Sequence, residues 1–140
     1  MADLDTARRC AAAMLANDRS SQAMGIAIDI PEPGTAVATM VVREDMTNGF
    51  DVMHGGLTFA LADTAFAFAC NAYDQQYLAA SAQIDFLRPA MLGDRLTATA
   101  TEDYRGRRSG YYSVQVRNQR DEVIALFRGR SASTGESCLK

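Results

Sequence analysis

With 140 residues, 48% of them hydrophobic, the chain can fill one good core and not two, and positions 1–140 read as a single domain. A net charge of −3 and a pI near 5.1 exclude the basic field on which binding to nucleic-acid backbones depends. The start lacks the positive charge and following apolar run of a secretory signal. Three cysteines, Cys10, Cys70 and Cys138, show no metal-ligand spacing and fit a reducing cytoplasm.

In chain order, Leu4 to Ala16 reads as an amphipathic helix with Asp3 or Asp5 at its start and Asn17-Asp18-Arg19-Ser20 ending it. Its apolar face, Ala7, Cys10, Ala11, Met14 and Leu15, is expected to pack on the body of the domain. Met24 to Ile30, with Ile26, Ile28 and Ile30 on one face, and Thr35 to Val42 form a β-hairpin turned by Pro31-Glu32-Pro33-Gly34. Arg43 to Met53 is polar and irregular. Within it Asn48 is either the first residue of an Asn-Gly turn or a positioned amide, and the turn is favoured.

The next stretch organises the rest. After His54-Gly55-Gly56, residues Leu57 to Cys70 are apolar on nearly every side, the pattern of a helix wrapped by protein. The segment is too short, and too broken by Asp63, to cross a bilayer. A carboxylate in such a helix is costly unless paired, hydrogen-bonded or neutralised. At the helix start the unpaired N–H groups attract negative charge, and Gly55 and Gly56 let a ligand approach the backbone. An amide donor and an acid on one element point to attack on a carbonyl. His54 is either a helix-start hydrogen-bonding residue or an acid–base group; the positive helix end disfavours its charged form and so favours a neutral donor.

Spacing adds a constraint. Gly55 and Asp63 are eight residues apart, roughly 12 Å of helix axis at about 1.5 Å per residue. If both act on one bond, the acid must come from a second copy of the helix running antiparallel across a two-fold axis, so the site straddles a homodimer interface. Beyond the helix, strands are expected over Tyr77 to Leu87, Arg95 to Tyr104, Tyr111 to Asn118 and Val123 to Arg130. In the first of these Leu78, Ala80, Ala82, Ile84 and Phe86 share a face opposite Ser81, Gln83 and Asp85. The tail from Ser131 to Lys140 is expected to fray. The resulting fold class is α+β, an antiparallel sheet curled around one long central helix.

Asn48-Gly49-Phe50, His54-Gly55-Gly56, Asp63-Thr64 nine residues after the histidine, Ser81-Ala82-Gln83-Ile84-Asp85-Phe86-Leu87-Arg88-Pro89 and Gly93-Asp94 occur in this order and spacing. On these blocks the chain resembles the hotdog-fold acyl-CoA thioesterases, and within them the phenylacetate-pathway type. The resemblance implies that the Gly55 amide holds the thioester carbonyl and that Asp63 of the neighbouring subunit is nucleophile or general base. It also implies that Asn48 and His54 orient the reacting groups, that dimers pair again into homotetramers, and that neither metal nor bound cofactor takes part. Gly56, Thr64 and Ser81 fall among the substrate-contacting positions, and the last two vary in role among such enzymes. Phenylacetyl-CoA or a hydroxylated derivative is the implied substrate, with Phe50, Met53, Phe59 and Phe66 as possible acyl walls. Arg88, Arg105, Arg107, Arg108, Arg128 and Arg130 are candidates for the CoA phosphates, each weighed against an ordinary surface role. A non-catalytic acyl-CoA-binding module and a hydratase or dehydratase of the same fold remain the competing readings.

Overall fold

A computed structural model describes residues 3–139. Its elements are α1 (Leu4–Asn17), α2 (Arg19–Ala23), β1 (Ala27–Glu32), β2 (Thr35–Val41), a 3-10 turn (Glu44–Met46), α3 (Gly55–Cys70), β3 (Tyr77–Phe86), β4 (Arg95–Arg105), β5 (Ser109–Arg117) and β6 (Val123–Ser133). The strands form one six-stranded sheet in the order β1-β2-β4-β5-β6-β3, every neighbouring pair antiparallel. This is the hotdog arrangement: α3 lies across the concave face of the sheet, and β3 and β1 are its two edges. Among the described residues no helix is long and apolar enough to cross a membrane.

Period-two alternation builds the layer beneath α3. Ala36, Ala38 and Met40 of β2, Leu96, Ala98 and Ala100 of β4, and Tyr112, Val114 and Val116 of β5 are all buried, while their sequence neighbours face outward. The alanines let the helix approach the sheet closely. On β6 the close approach is stricter, because a Cβ on Gly129 would stand 2.8 Å from the Phe66 ring. That ring packs against Tyr112 and Phe127 at centroid distances of 5.6 and 5.8 Å, an aromatic cluster that fixes the middle of α3 on the sheet.

Several expectations are corrected. The helix stop at residues 17–20 is a break between two helices: the Asp18 carboxylate accepts from the Ser21 amide and caps α2. The hairpin's first strand runs on through Pro31, which an edge strand tolerates because it need not donate there. In β3 a register shift between Ala79 and Ser81 throws Leu78 to the face opposite Ala82, Ile84 and Phe86, and Leu78 is 61% exposed. The tail does not fray over its described part. β6 extends to Ser133, Gln76 donates its N–H to Glu136 O and accepts from Thr134 N–H, and Leu139 N–H and the Ser137 hydroxyl both donate to the Asp74 carboxylate. Lys140 lies outside the described residues.

The largest correction concerns α3. It is not wrapped on nearly every side: Leu61, Ala62, Ala65, Phe66, Phe68 and Ala69 are buried against the sheet, but Gly56, Phe59, Ala60, Asp63, Thr64 and Ala67 form a partly open stripe at helical spacing. A single sheet covers one side of a helix, and the opposite stripe is left partly open.

Candidate active site

The loop before α3 is held by its own backbone. Asn48 Oδ1 accepts from the amides of Phe50 at 2.8 Å and Val52 at 3.4 Å, and Asn48 N–H donates to Val52 O, so Asn48 is the turn residue, as its pairing with glycine favoured. Met53 N–H donates to Ala90 O and His54 N–H to Met46 O, which anchors the chain just where the helix begins. His54 is the N-cap: its backbone is extended (φ −59, ψ 130), and its ring Nδ1 accepts from the Gly56 amide at 2.9 Å. Nδ1 is therefore used as an acceptor, which leaves Nε2 as the ring position able to donate. A Cβ on Gly56 would stand 3.1 Å from that Nδ1, so glycine here makes room for the cap.

The amides of the first turn can now be counted. Gly56 N–H is taken by His54, while Leu57 and Thr58 N–H both donate to His54 O. Gly55 N–H meets no acceptor among the described residues. One bare donor thus stands at the positive end of a helix of 16 residues, where developing negative charge is stabilised. It opens on a cleft of about 270 Å³ lined by Val52, Met53, Thr58, Phe86, Arg88 and Ile124 among others.

Two turns along the open stripe lies Asp63. It has neither hydrogen bond nor ion pair among the described residues, and loss of water around its carboxylate holds its pKa above the ordinary value of 3.8. An unpaired, half-buried acid is not a structural salt bridge, and such perturbed carboxylates are enriched at functional sites. Within one chain it cannot meet Gly55, given the roughly 12 Å of helix between them.

The other expected site residues divide. Arg88 shares the Gly55 cleft and reaches Glu122 at 3.5 Å. Thr64 donates its hydroxyl back to Ala60 O at 2.7 Å. Phe50 is 87% exposed at the tip of the turn and walls nothing in its own chain, and Met53 and Phe66 are core. Ser81 is in register with outward-facing Arg130 and lines a second cleft with Gln83, Tyr111 and Arg128 on the sheet face away from α3. Arg107 and Arg108 are exposed in the β4–β5 turn, which packs near the opposite end of α3, where Arg105 stacks on Tyr73 at 3.9 Å. Sequence reasoning does not single out Phe86 or Thr58 for the cleft. The inward face of β3 running into Arg88-Pro89 is the available signal for Phe86. Among the described residues no cluster of His, Cys, Asp and Glu side chains is arranged to hold a metal ion.

Comparison with known proteins agrees with this geometry. The sequence profile of the thioesterase superfamily matches residues 50–125, a span that holds Gly55, Asp63 and β3. The acyl-coenzyme A thioesterase PaaI of Escherichia coli is 46% identical over 123 residues, 88% of each chain. The solved structure of the E. coli PaaI protein from the phenylacetic acid degradation operon superposes with a TM-score of 0.94 at 44% identity, covering 96% of this chain and 97% of that one. A mutant of the phenylacetic acid degradation protein PaaI from Thermus thermophilus superposes at 0.78 with 36% identity, covering 82% and 98%. This chain belongs to the thioesterase superfamily and has its hotdog fold.

Proposed function

We propose that the protein hydrolyses acyl-CoA thioesters at two equivalent sites of a homodimer, each built from the Gly55 amide of one subunit and the Asp63 carboxylate of its partner. The observation that carries this is the bare Gly55 N–H on the same helix as an unpaired acid too distant to serve it. As water or the carboxylate adds to the thioester carbonyl, charge grows on oxygen, and the amide at the positive helix end stabilises it. Asp63 acts as nucleophile or as base for water, its raised pKa bringing its basicity closer to that of the proton it must take. His54 Nε2–H is available to hold the substrate. The side-chain amide nitrogen of Asn48, in the loop before α3, has no partner among the described residues and is a second free donor. The half-open stripe of α3 and the free edge of β3, with Leu78 and Leu87 each more than half exposed, are the surfaces a second copy would cover. A further pairing through the outer sheet face, where Tyr111 and Leu126 are partly exposed, gives the tetramer. Relatives named for the phenylacetate pathway support phenylacetyl-CoA or a hydroxylated derivative as substrate, and free half-buried thiols such as Cys138 suit the cytoplasm.

Subunit mixing tests the shared site. A Gly55→Pro chain lacks the amide proton, an Asp63→Asn chain lacks the acid, and each homodimer has two crippled sites. In a hybrid the Gly55 of one and the Asp63 of the other make one intact site, so random one-to-one mixing restores about a quarter of wild-type activity. Thiol release that stays at the level of the separate variants, in mixtures shown by mass spectrometry to contain hybrids, would show that Gly55 and Asp63 of different subunits do not share a site and end the proposal.

A further inference from the structure

Phe86 ends β3 with its ring against Gly55: a Cβ built on that glycine would lie 3.2 Å from Phe86 Cζ and 3.4 Å from Cε1. The ring is 55% exposed, whereas Phe66 and Phe127, which belong to the core, are 1% and 2% exposed. Phe86 is on the inward face of β3, in register with buried Ala125. It therefore turns toward the helix start but finds only a glycine there, and much of its surface is left uncovered beside Val52, Met53 and Ile124 in the same cleft.

A substrate carbonyl oxygen that accepts from Gly55 N–H sits about 2.9 Å from the amide nitrogen. That places the carbonyl carbon, and the first atoms of the acyl group, in the cleft that Gly55 and the Phe86 ring line together. Resting on that reading of the site, we propose that Phe86 is the residue with which this enzyme distinguishes a flat aromatic acyl group from a flexible straight-chain one. Its uncovered surface offers a ring partner to the first and only apolar area to the second. Ring pairs typically add a factor of roughly 2 to 10 beyond area burial, and an acyl chain that must be immobilised gives back part of its own gain as rotamer entropy. Glycine at position 55 then has two uses, because any side chain there would push the ring off the site.

The test is the ratio of kcat/KM for phenylacetyl-CoA to that for hexanoyl-CoA, measured by thiol release in wild type, Phe86→Leu and Phe86→Ala. Both rates come from one preparation, so the ratio does not depend on how much of a variant is folded or assembled, which matters for a residue on an edge strand. Phe86→Leu keeps apolar bulk and removes the ring; the ratio is expected to fall by roughly 2- to 10-fold, with the loss mainly on the aromatic substrate, and Phe86→Ala to fall as far or further. A ratio changed by less than about twofold overturns the assignment, as does an equal fall on both substrates, which would put the ring against the CoA arm or the scaffold. Failure of the underlying reading is seen separately, as wild-type turnover of both substrates by Gly55→Pro.

Discussion

Removing a backbone donor without disturbing the helix that carries it is seldom possible, but position 55 allows it. Gly55 is the first residue of α3, the helical position proline favours because its missing N–H costs no intrahelical bond, and here that N–H has no acceptor among the described residues. Proline also constrains the residue before it to extended backbone, and His54 is already there at φ −59, ψ 130. The one steric cost is shared by any side chain: the Cβ lies 3.2 Å from the end of the Phe86 ring, which is exposed enough to swing away. Gly55→Ala is thus the control, sharing the Cβ contact with the Phe86 ring and retaining the amide proton, although it lacks the proline Cδ. Loss of a single donor to a developing oxyanion costs on the order of 100-fold to 1000-fold in kcat, about 2.7–4 kcal/mol. Because the interaction is made mainly in the transition state, kcat should fall and KM move little. Steady-state thiol release from phenylacetyl-CoA, with melting curves to establish that both variants are folded, gives the comparison. A kcat for Gly55→Pro within threefold of that for Gly55→Ala would refute the assignment of this amide.

Asp63→Asn should keep affinity for CoA, read from product inhibition, and lose at least 100-fold in turnover; wild-type rates with deamidation excluded by mass spectrometry would remove Asp63 from the chemistry. The same substitution should stabilise the fold. Burial raises the Asp63 pKa in the folded state, so ionisation opposes folding, and wild-type stability is intact below the ordinary aspartate value and declines as pH rises through the raised one. Asp63→Asn is therefore expected to melt above wild type near neutral pH, with the gap closing below about pH 4; a gap that is absent at neutrality or widens in acid contradicts the desolvation argument. Away from the site, Gly129→Ala would drive a Cβ to 2.8 Å from the Phe66 ring, which is hemmed in by Tyr112 and Phe127. Overpacking of this kind costs typically 1–3 kcal/mol, measurable by urea unfolding, and a loss under about 0.5 kcal/mol would mean the cluster is looser than described.

What can be read from the sequence is whatever is local. The start of α3 is legible to the residue, because a histidine cap, two glycines and an unbroken apolar run all fall within a few positions. The strands are legible within a residue or three for the same reason. The contacts that decide the site are not local. Phe86 meets Gly55 only because β3 pairs with β6 and not with its sequence neighbour β4, a topology that alternation alone does not specify. Alternation puts Leu78 on the wrong face because a bulge between Ala79 and Ser81 resets the period, and one extra residue turns every preceding side chain over. The docked tail escapes sequence reading because its anchors, Asp74 and Gln76, lie about 60 residues upstream and look like ordinary turn residues. The open stripe on α3 escapes it for a different reason: Ala60, Thr64 and Ala67 are small enough to suit burial against this chain or against another.

That stripe and the free strand edge are independent features, and they can be asked whether they imply the same partner. A two-fold axis that brought the partner's carboxylate to Gly55 would pass beside α3, level with the midpoint of residues 55 and 63, at Phe59. The sheet fixes what lies beside that point. Along α3 and β3 the contacts descend in step: Gly55 meets Phe86, Phe59 packs on Phe127 at 5.4 Å, whose register partner on β3 is Ile84, and Phe66 covers Gly129, whose partner is Ala82. An axis level with Phe59 would therefore run near Ile84, toward the C-terminal half of a ten-residue edge strand. A two-fold beside the middle of an edge strand would let it pair antiparallel with its own copy, joining the two sheets and satisfying the row of unpaired edge groups. Had the helix spacing placed the axis beyond either end of β3, the shared site would have required leaving that edge bare. In the proposed dimer, instead, the single rotation that would complete the chemistry would also join the two sheets, with the half-exposed Phe86 ring beside the shared site.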